Sequence, residues 1–316
     1  NGDTTTYQRA NKLVAATTIT NNPSYTNDTG STLTITARVM VQSGTFSRLG
    51  GTWSGGSYLG EVHCTRNSTD FKTETQAQDT TTWALKGVAS FEGLFQGCSK
   101  LRVVPKFVPI ASADGGAGTT ITNMKNSFNG CSVFGSTGYI PDDVGDNNQL
   151  ASWHTKHVNT TEGMFQDAAA FNQPISYNSA AASPADGYWN MDACTSMKNM
   201  FFGASVFNQD ISTWLVDEVI DMSQMFRDAA AYNQILNTWD TSSLVTANGL
   251  FHGATVFDQD LSNWNTSLVV TMADMFHDAS EFDKDISVTG IDSGGSLKWD
   301  TRNVKDMNEM FKGATK

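Results

Sequence analysis

Apolar residues return along this chain at two spacings at once. Phe201, Phe226, Phe251 and Phe276 recur every 25 residues. Within one interval, Val219, Met222, Met225 and Phe226 fall at the spacing of one face of a short helix. Small residues follow each Phe at Gly203-Ala204, Asp228-Ala229, Gly253-Ala254 and Asp278-Ala279, which predicts a tight corner. Phe207 to Ile211 and its copies then read as a short strand. Asp217, or Thr241-Ser242, stands where a helix N-cap belongs. Each unit is therefore predicted to run helical turn, corner, strand. A fixed period of 20–50 residues marks stacked repeats, because one unit cannot bury its own apolar face.

The array is longer than its clearest copies. A Trp stands 12 residues before the unit Phe in Trp83/Phe95, Trp153/Phe165, Trp189/Phe201, Trp214/Phe226, Trp239/Phe251, Trp264/Phe276 and Trp299/Phe311. A further unit at Phe128 has Gly116 in the Trp position, making eight units. The longer intervals carry their extra residues at one phase, as in Ser176–Gly187 and Ser287–Lys298, so these insertions should emerge on one side of a stack.

Residues 1–80 have another texture, rich in Thr, Ser, Gly and Asn. Leu33, Ile35, Ala37, Val39 and Val41 alternate with Thr34, Thr36, Arg38 and Met40, which predicts a half-buried strand. Residues 12–20 and 58–64 are weaker strand candidates. The reading is an α/β repeat solenoid, leucine-rich-repeat-like, over residues 81–316, behind a β-rich N-terminal capping or docking domain over residues 1–80.

Composition narrows the function. The formal charge is −12 and only 16% of residues are charged. An acidic chain without basic clusters is a poor binder of nucleic acid, or of an anionic membrane surface. No apolar run is long enough for a membrane span, so no membrane insertion is expected. The chain begins Asn1-Gly2-Asp3, which reads as a processed start. Cys64, Cys98, Cys131 and Cys194 form no CxxC pair. Cys98 and Cys131 share one corner in adjacent units and are either bridged or simply small buried residues.

The motif MFxxAxxFNQDIxxW(D/N)TSxVxxM is carried by Met225-Phe226, Asp228-Ala229, Trp239-Asp240-Thr241-Ser242 and Leu250-Phe251-His252-Gly253-Ala254. It closely resembles the repeat of BspA-like and Mycoplasma-lipoprotein-type surface proteins. Leu94-Phe95-Gln96-Gly97-Cys98 and Phe128-Asn129-Gly130-Cys131 look more like the leucine-rich-repeat branch of the same group. The resemblance covers residues 83–316. It implies a leucine-rich-repeat-like solenoid on a surface-exposed protein engaged in adhesion. It does not name a source, since such repeats occur in bacteria, protists and large viruses.

Candidate chemistry is sparse. No HExxH, G-x-S-x-G or phosphate-loop pattern is present, and nothing selects a catalytic pair among the many Asp, so no enzyme activity is expected. The most suggestive group is acidic. Asp258 and Asp260 repeat one unit later as Asp283 and Asp285. Strand alternation would place all four on one face of stacked strands about 4.8 Å apart, where calcium would relieve their repulsion; a solvated acidic face is the alternative. Gln209, Gln234 and Gln259 would then point inward and need a stacked amide ladder. His252 and His277 should stack, as a transition-metal or pH-sensitive pair or as plain surface. The Trp column is core, or leaves ring edges exposed for sugars or a protein.

Together these features predict a non-catalytic recognition or adhesion module, extracellular or at a cell surface, with a protein or glycan on another surface as partner. The rival is a self-assembling subunit of an extracellular filament or viral appendage, at a virion surface in the latter case, with the open last coil covered head to tail by the next copy's N-terminal domain.

Overall fold

The computed structural model describes residues 82–83, 89–99, 101, 104, 106–107, 121–135, 150, 153, 155–176, 189–287 and 298–316. Two compact units divide the chain, Asn1–Phe46 and Ser47–Lys316. The first lies outside the described residues, as do the three strands expected in residues 1–80 and the expected boundary at 80/81.

Within Ser47–Lys316 the repeats lie side by side in chain order. Single parallel bridges join Ser90 to Asn123, then Thr160, Ser196, Asp221, Thr246, Thr271 and Asp306. Two short strands, β1 (Thr82–Trp83) and β2 (Lys106–Phe107), also pair in parallel. Beyond these, the described residues contain no named strand or α-helix.

The segment expected to be a helical turn takes another form. From Met222 to Asp228, alternate N–H groups leave the repeat. Those of Met222, Gln224, Phe226 and Asp228 donate to the carbonyls of Thr246, Asn248, Leu250 and His252, at 2.7–3.0 Å. The intervening N–H groups of Met225, Arg227 and Ala229 close tight turns onto residues three earlier. The physical cause is a left-handed residue two positions before each unit Phe and another two positions after it. Around Phe226 these are Gln224 (φ 57) and Asp228 (φ 57); around Phe276 they are Asp274 (φ 56) and Asp278 (φ 56). All eight units carry the pair. Such residues interrupt a right-handed helix and turn the backbone so that its hydrogen bonds point at a neighbour. The positions are filled by Gly, Asn, Asp, Gln and Glu, and only Gly holds this conformation without steric cost.

The turn still buries the predicted face: Val219, Met222, Met225 and Phe226 are fully buried. The unit Phe rings form one column from Phe95 to Phe311, with neighbouring centroids 5.4–5.7 Å apart. Phe134, Phe171, Phe207, Tyr232, Phe257 and Phe282 form a second column, spaced 5.6–6.3 Å. The two columns meet inside each unit; Phe201 and Phe207 are 3.9 Å apart. Each buried Phe contributes roughly 1.5–3 kcal/mol, and only a neighbour on each side removes both ring faces from water.

The Trp side chains complete the core. The rings from Trp153 to Trp299 are at most 2% exposed, so they offer no open edge to a sugar. The Trp214, Trp239, Trp264 and Trp299 indole N–H groups donate to the carbonyls of Ile175, Ile211, Leu236 and Leu261, 28–39 residues earlier in the chain, at 2.7–3.1 Å. The Asp-Thr that follows Trp239 is equally local in purpose. Asp240 accepts the Ser242 N–H at 2.9 Å, while the buried Thr241 hydroxyl donates to the Asn265 carbonyl at 3.0 Å.

Candidate functional site

The phrase FNQDI is not a strand in the described structure. Phe207 and Ile211 are buried, Asn208 and Gln209 half-buried, and Asp210 exposed. That is a four-residue spacing rather than strict alternation. The Asn position registers the units. Asn172 accepts the Asn208 N–H, Asn208 that of Asn233, Asn233 that of Asp258, and Asp258 that of Asp283, all at 2.9–3.0 Å. The following Gln amides also reach back. Gln209 and Gln234 donate to the carbonyl and side-chain oxygens of Asn172 and Asn208, and Gln259 to the Asn233 side chain. The expected amide ladder therefore exists, but it lies at the margin of the core and runs through Asn.

Asp258 thus holds a registry position. Its second oxygen receives Lys284 Nζ at 2.7 Å, Lys284 standing where the four preceding units have Gln. Partial burial works to raise its pKa and is outweighed by the Lys284 and Asp283 hydrogen bonds and by the charges of Lys284 and Lys316, so the group is held low. Asp260 and Asp285 each accept the N–H two residues on, from Ser262 and Ser287, at 2.8 Å. Those bonds make the Asp-x-Ser phrase a side-chain-closed turn. Asp260 also accepts from Asn237 at 2.8 Å, and Asp283 is exposed. Asp258, Asp260, Asp283 and Asp285 do not converge on a point: groups of three donor side chains within 4.8 Å form elsewhere among the described residues.

Those groups surround His277. The His252 and His277 rings stack as expected, with centroids 4.4 Å apart and planes at 26°. Sequence reasoning missed their carboxylates. Asp278 Oδ2 lies 3.5 Å from His277 Nε2; Asp274 Oδ1 and Glu309 Oε2 lie 3.2 and 3.5 Å from Nδ1. Asp274, Asp278 and Glu309 all occupy the left-handed positions flanking a unit Phe. The missed signal was columnar, since the position before each corner and the corner itself face the same side as the residue after Phe. Further along that side, the Arg227 guanidinium lies over the Phe202 ring at 5.4 Å. His252 Nδ1 is buried without a hydrogen-bond partner, and desolvation, then Arg227 and His277, lower its pKa against the opposing pull of Asp228 and Asp274.

A third feature is apolar. Ile220 is 47% exposed, and the Val245 N–H donates to its carbonyl at 2.9 Å. Val270 N–H donates to the Val245 carbonyl at 2.9 Å, and Lys305 N–H to that of Val270 at 2.8 Å. Ile220, Val245 and Val270 therefore form a continuous stripe across three units, beside the polar bridge residues Asp221, Thr246 and Thr271. Leu268, 51% exposed, stands two residues before Val270.

Among the described residues, the cysteines offer no exposed thiol. Cys98, Cys131 and Cys194 are buried and unbridged. Burial pushes the Cys98 and Cys194 thiols up to about 11 and raises Cys131 further, helped by its neighbour Cys98. Cys64 lies outside the described residues. No helix among the described residues is long and apolar enough to cross a membrane.

No curated protein matches the chain. One family does, in four overlapping stretches over residues 65–183, 111–234, 178–290 and 234–316. Overlapping matches are what a repeated unit produces when a family pattern spans several copies. The match agrees with the Mycoplasma-type side of the sequence resemblance. The chain belongs to the family described as Mycoplasma protein of unknown function, DUF285.

Proposed function

We propose that this chain is a non-catalytic recognition module displayed at a cell surface, built as a leucine-rich-repeat-like solenoid, that binds a protein or glycan on another surface. The observation that carries this reading is the Ile220–Val245–Val270 stripe. The core is already closed by the Phe and Trp columns, so these side chains are not needed to fill it. An apolar stripe held in fixed register and bordered by polar residues is the form of a contact surface. Lys305 continues the stripe at one end and Thr195 at the other, giving it a polar rim. The inserted segments, all at one phase of the repeat, differ in sequence and length from unit to unit. The Mycoplasma family and the surface-protein resemblance support the cell-surface location.

The test is a binding screen of the 316-residue chain against glycans and extracellular-matrix proteins, with Ile220→Asp/Val270→Asp as the control. A ligand lost in that variant, with unchanged melting temperature, supports the reading. A ligand retained by the variant removes the stripe from it, and turnover of a bound polysaccharide overturns the non-catalytic assignment.

A further inference from the structure

We propose that His252, His277 and Asp278 form a binding site for a transition-metal dication of the zinc class, with Asp274 and Glu309 orienting His277. The inference is independent of the adhesion reading. It begins from an imidazole with carboxylates on both nitrogens. Asp274 Oδ1 and Glu309 Oε2 face Nδ1, and Asp278 Oδ2 faces Nε2. A neutral imidazole has one N–H, so it satisfies one side and turns a lone pair toward an anion on the other. Donation from Nδ1 to Asp274 leaves Nε2 as the lone pair facing Asp278. In that tautomer Nε2 and Asp278 Oδ2 can share a divalent cation, whereas an imidazolium would donate to both sides without one.

The spacing suits one. Two donors held tetrahedrally at about 2.0–2.1 Å stand about 3.4 Å apart. His277 Nε2 and Asp278 Oδ2 are 3.5 Å apart, and one donor atom from each of His252, His277 and Asp278 lies within 4.8 Å of the other two. Bringing the His252 nitrogen in requires the rings to open from their 4.4 Å stack, a side-chain rotation that leaves the backbone ladder untouched. The His277 Nδ1 contact with Asp274 is the carboxylate–histidine pairing that fixes a metal-binding tautomer. Charge agrees as well. Asp228, Asp274, Asp278 and Glu309 outnumber Arg227 and Lys312 by two, the charge of a divalent ion. Imidazole nitrogens with one carboxylate select zinc or its neighbours over calcium, which takes oxygen ligands.

The experiment is calorimetric titration of the full chain with zinc chloride at pH 7.5, alongside thermal unfolding with and without the ion. One equivalent should bind and raise the melting temperature, while calcium chloride does neither. His277→Gln and His252→Gln should abolish the effect, and Asp274→Asn should weaken affinity roughly 10–100-fold through loss of orientation. Circular dichroism without metal should show all three variants folded like the parent. Failure of the parent to bind zinc overturns the proposal. So does undiminished binding by His277→Gln, which would place the ion on other histidines, or an equal response to calcium.

Discussion

At Gly253 a Cβ would lie 2.3 Å from Asp228 Oδ1 in the unit before, on a backbone with φ +68. The same relation joins Gly203 to Asp167 at 2.6 Å, so each such Asp leans over a glycine of the next unit. From residue 167 onward this corner reads Asp, Gly, Asp, Gly, Asp, Gly, and no two Asp are stacked. Gly253→Ala should therefore destabilise by about 1–2 kcal/mol from the left-handed backbone alone, with the clash added. Urea unfolding checks it, and Asp228→Ala/Gly253→Ala should recover the clash but not the backbone cost. Tyr232 gives a prediction of opposite sign. Its ring sits in a column of Phe, fully buried, and its hydroxyl has no hydrogen-bond partner. Burial, then Asp210, raises its pKa well above the ordinary value, so the ring stays neutral. Tyr232→Phe should raise stability by about 1 kcal/mol, since it removes an unpaired buried group and keeps the stack.

Units are held to one another by elements that carry little local structure of their own. The backbone ladder supplies most of the registry, and the Asn172–Asn208–Asn233–Asp258–Asp283 series adds a second line of it. Asn233→Ala should lower the melting temperature, because it strips acceptors from the Asp258 N–H and the Gln259 amide. Asn233→Asp should cost less, as Asp258 already shows that a carboxylate serves in that place. At the Trp299 unit, Arg302 bonds the Asp300 carboxylate through its guanidinium and its N–H, holding it down at about 2. The stability contributed by that carboxylate is complete above its unfolded pKa near 3.9 and disappears as the pH falls toward 2. Arg302→Gln should therefore move the acid-unfolding midpoint to higher pH, a shift that circular dichroism against pH reads directly.

Among the described residues, the period and the burial of the unit Phe from Phe95 to Phe276 and of the Trp from Trp153 to Trp299 were legible in the sequence, because burial repeats with the period. The local conformation was not. Val219, Met222, Met225 and Phe226 have helical spacing and are buried, yet Gln224 and Asp228 are left-handed. Gln is no usual signal for that conformation, and only the column of Gly, Asn and Asp at its position reveals it. The acidic phrase misled in a related way. Asp-x-Ser closes a turn on itself, and parity counted as on a strand assigned its faces wrongly at Asn208 and Gln209. His252 and His277 were visible as a stack, but Asp274, Asp278 and Glu309 reach them only once the units are in register.

Under the proposed function, the repeat ladder presents the Ile220–Val245–Val270 stripe to a partner, while stability resides in the buried columns. The most direct test is to immobilise the chain on a glycan and matrix-protein array beside the Ile220→Asp/Val270→Asp variant, with melting curves for both. A ligand should be captured by the parent and lost by the variant, at an unchanged melting temperature. Equal capture by both chains, or a variant that unfolds with the stripe, would contradict it.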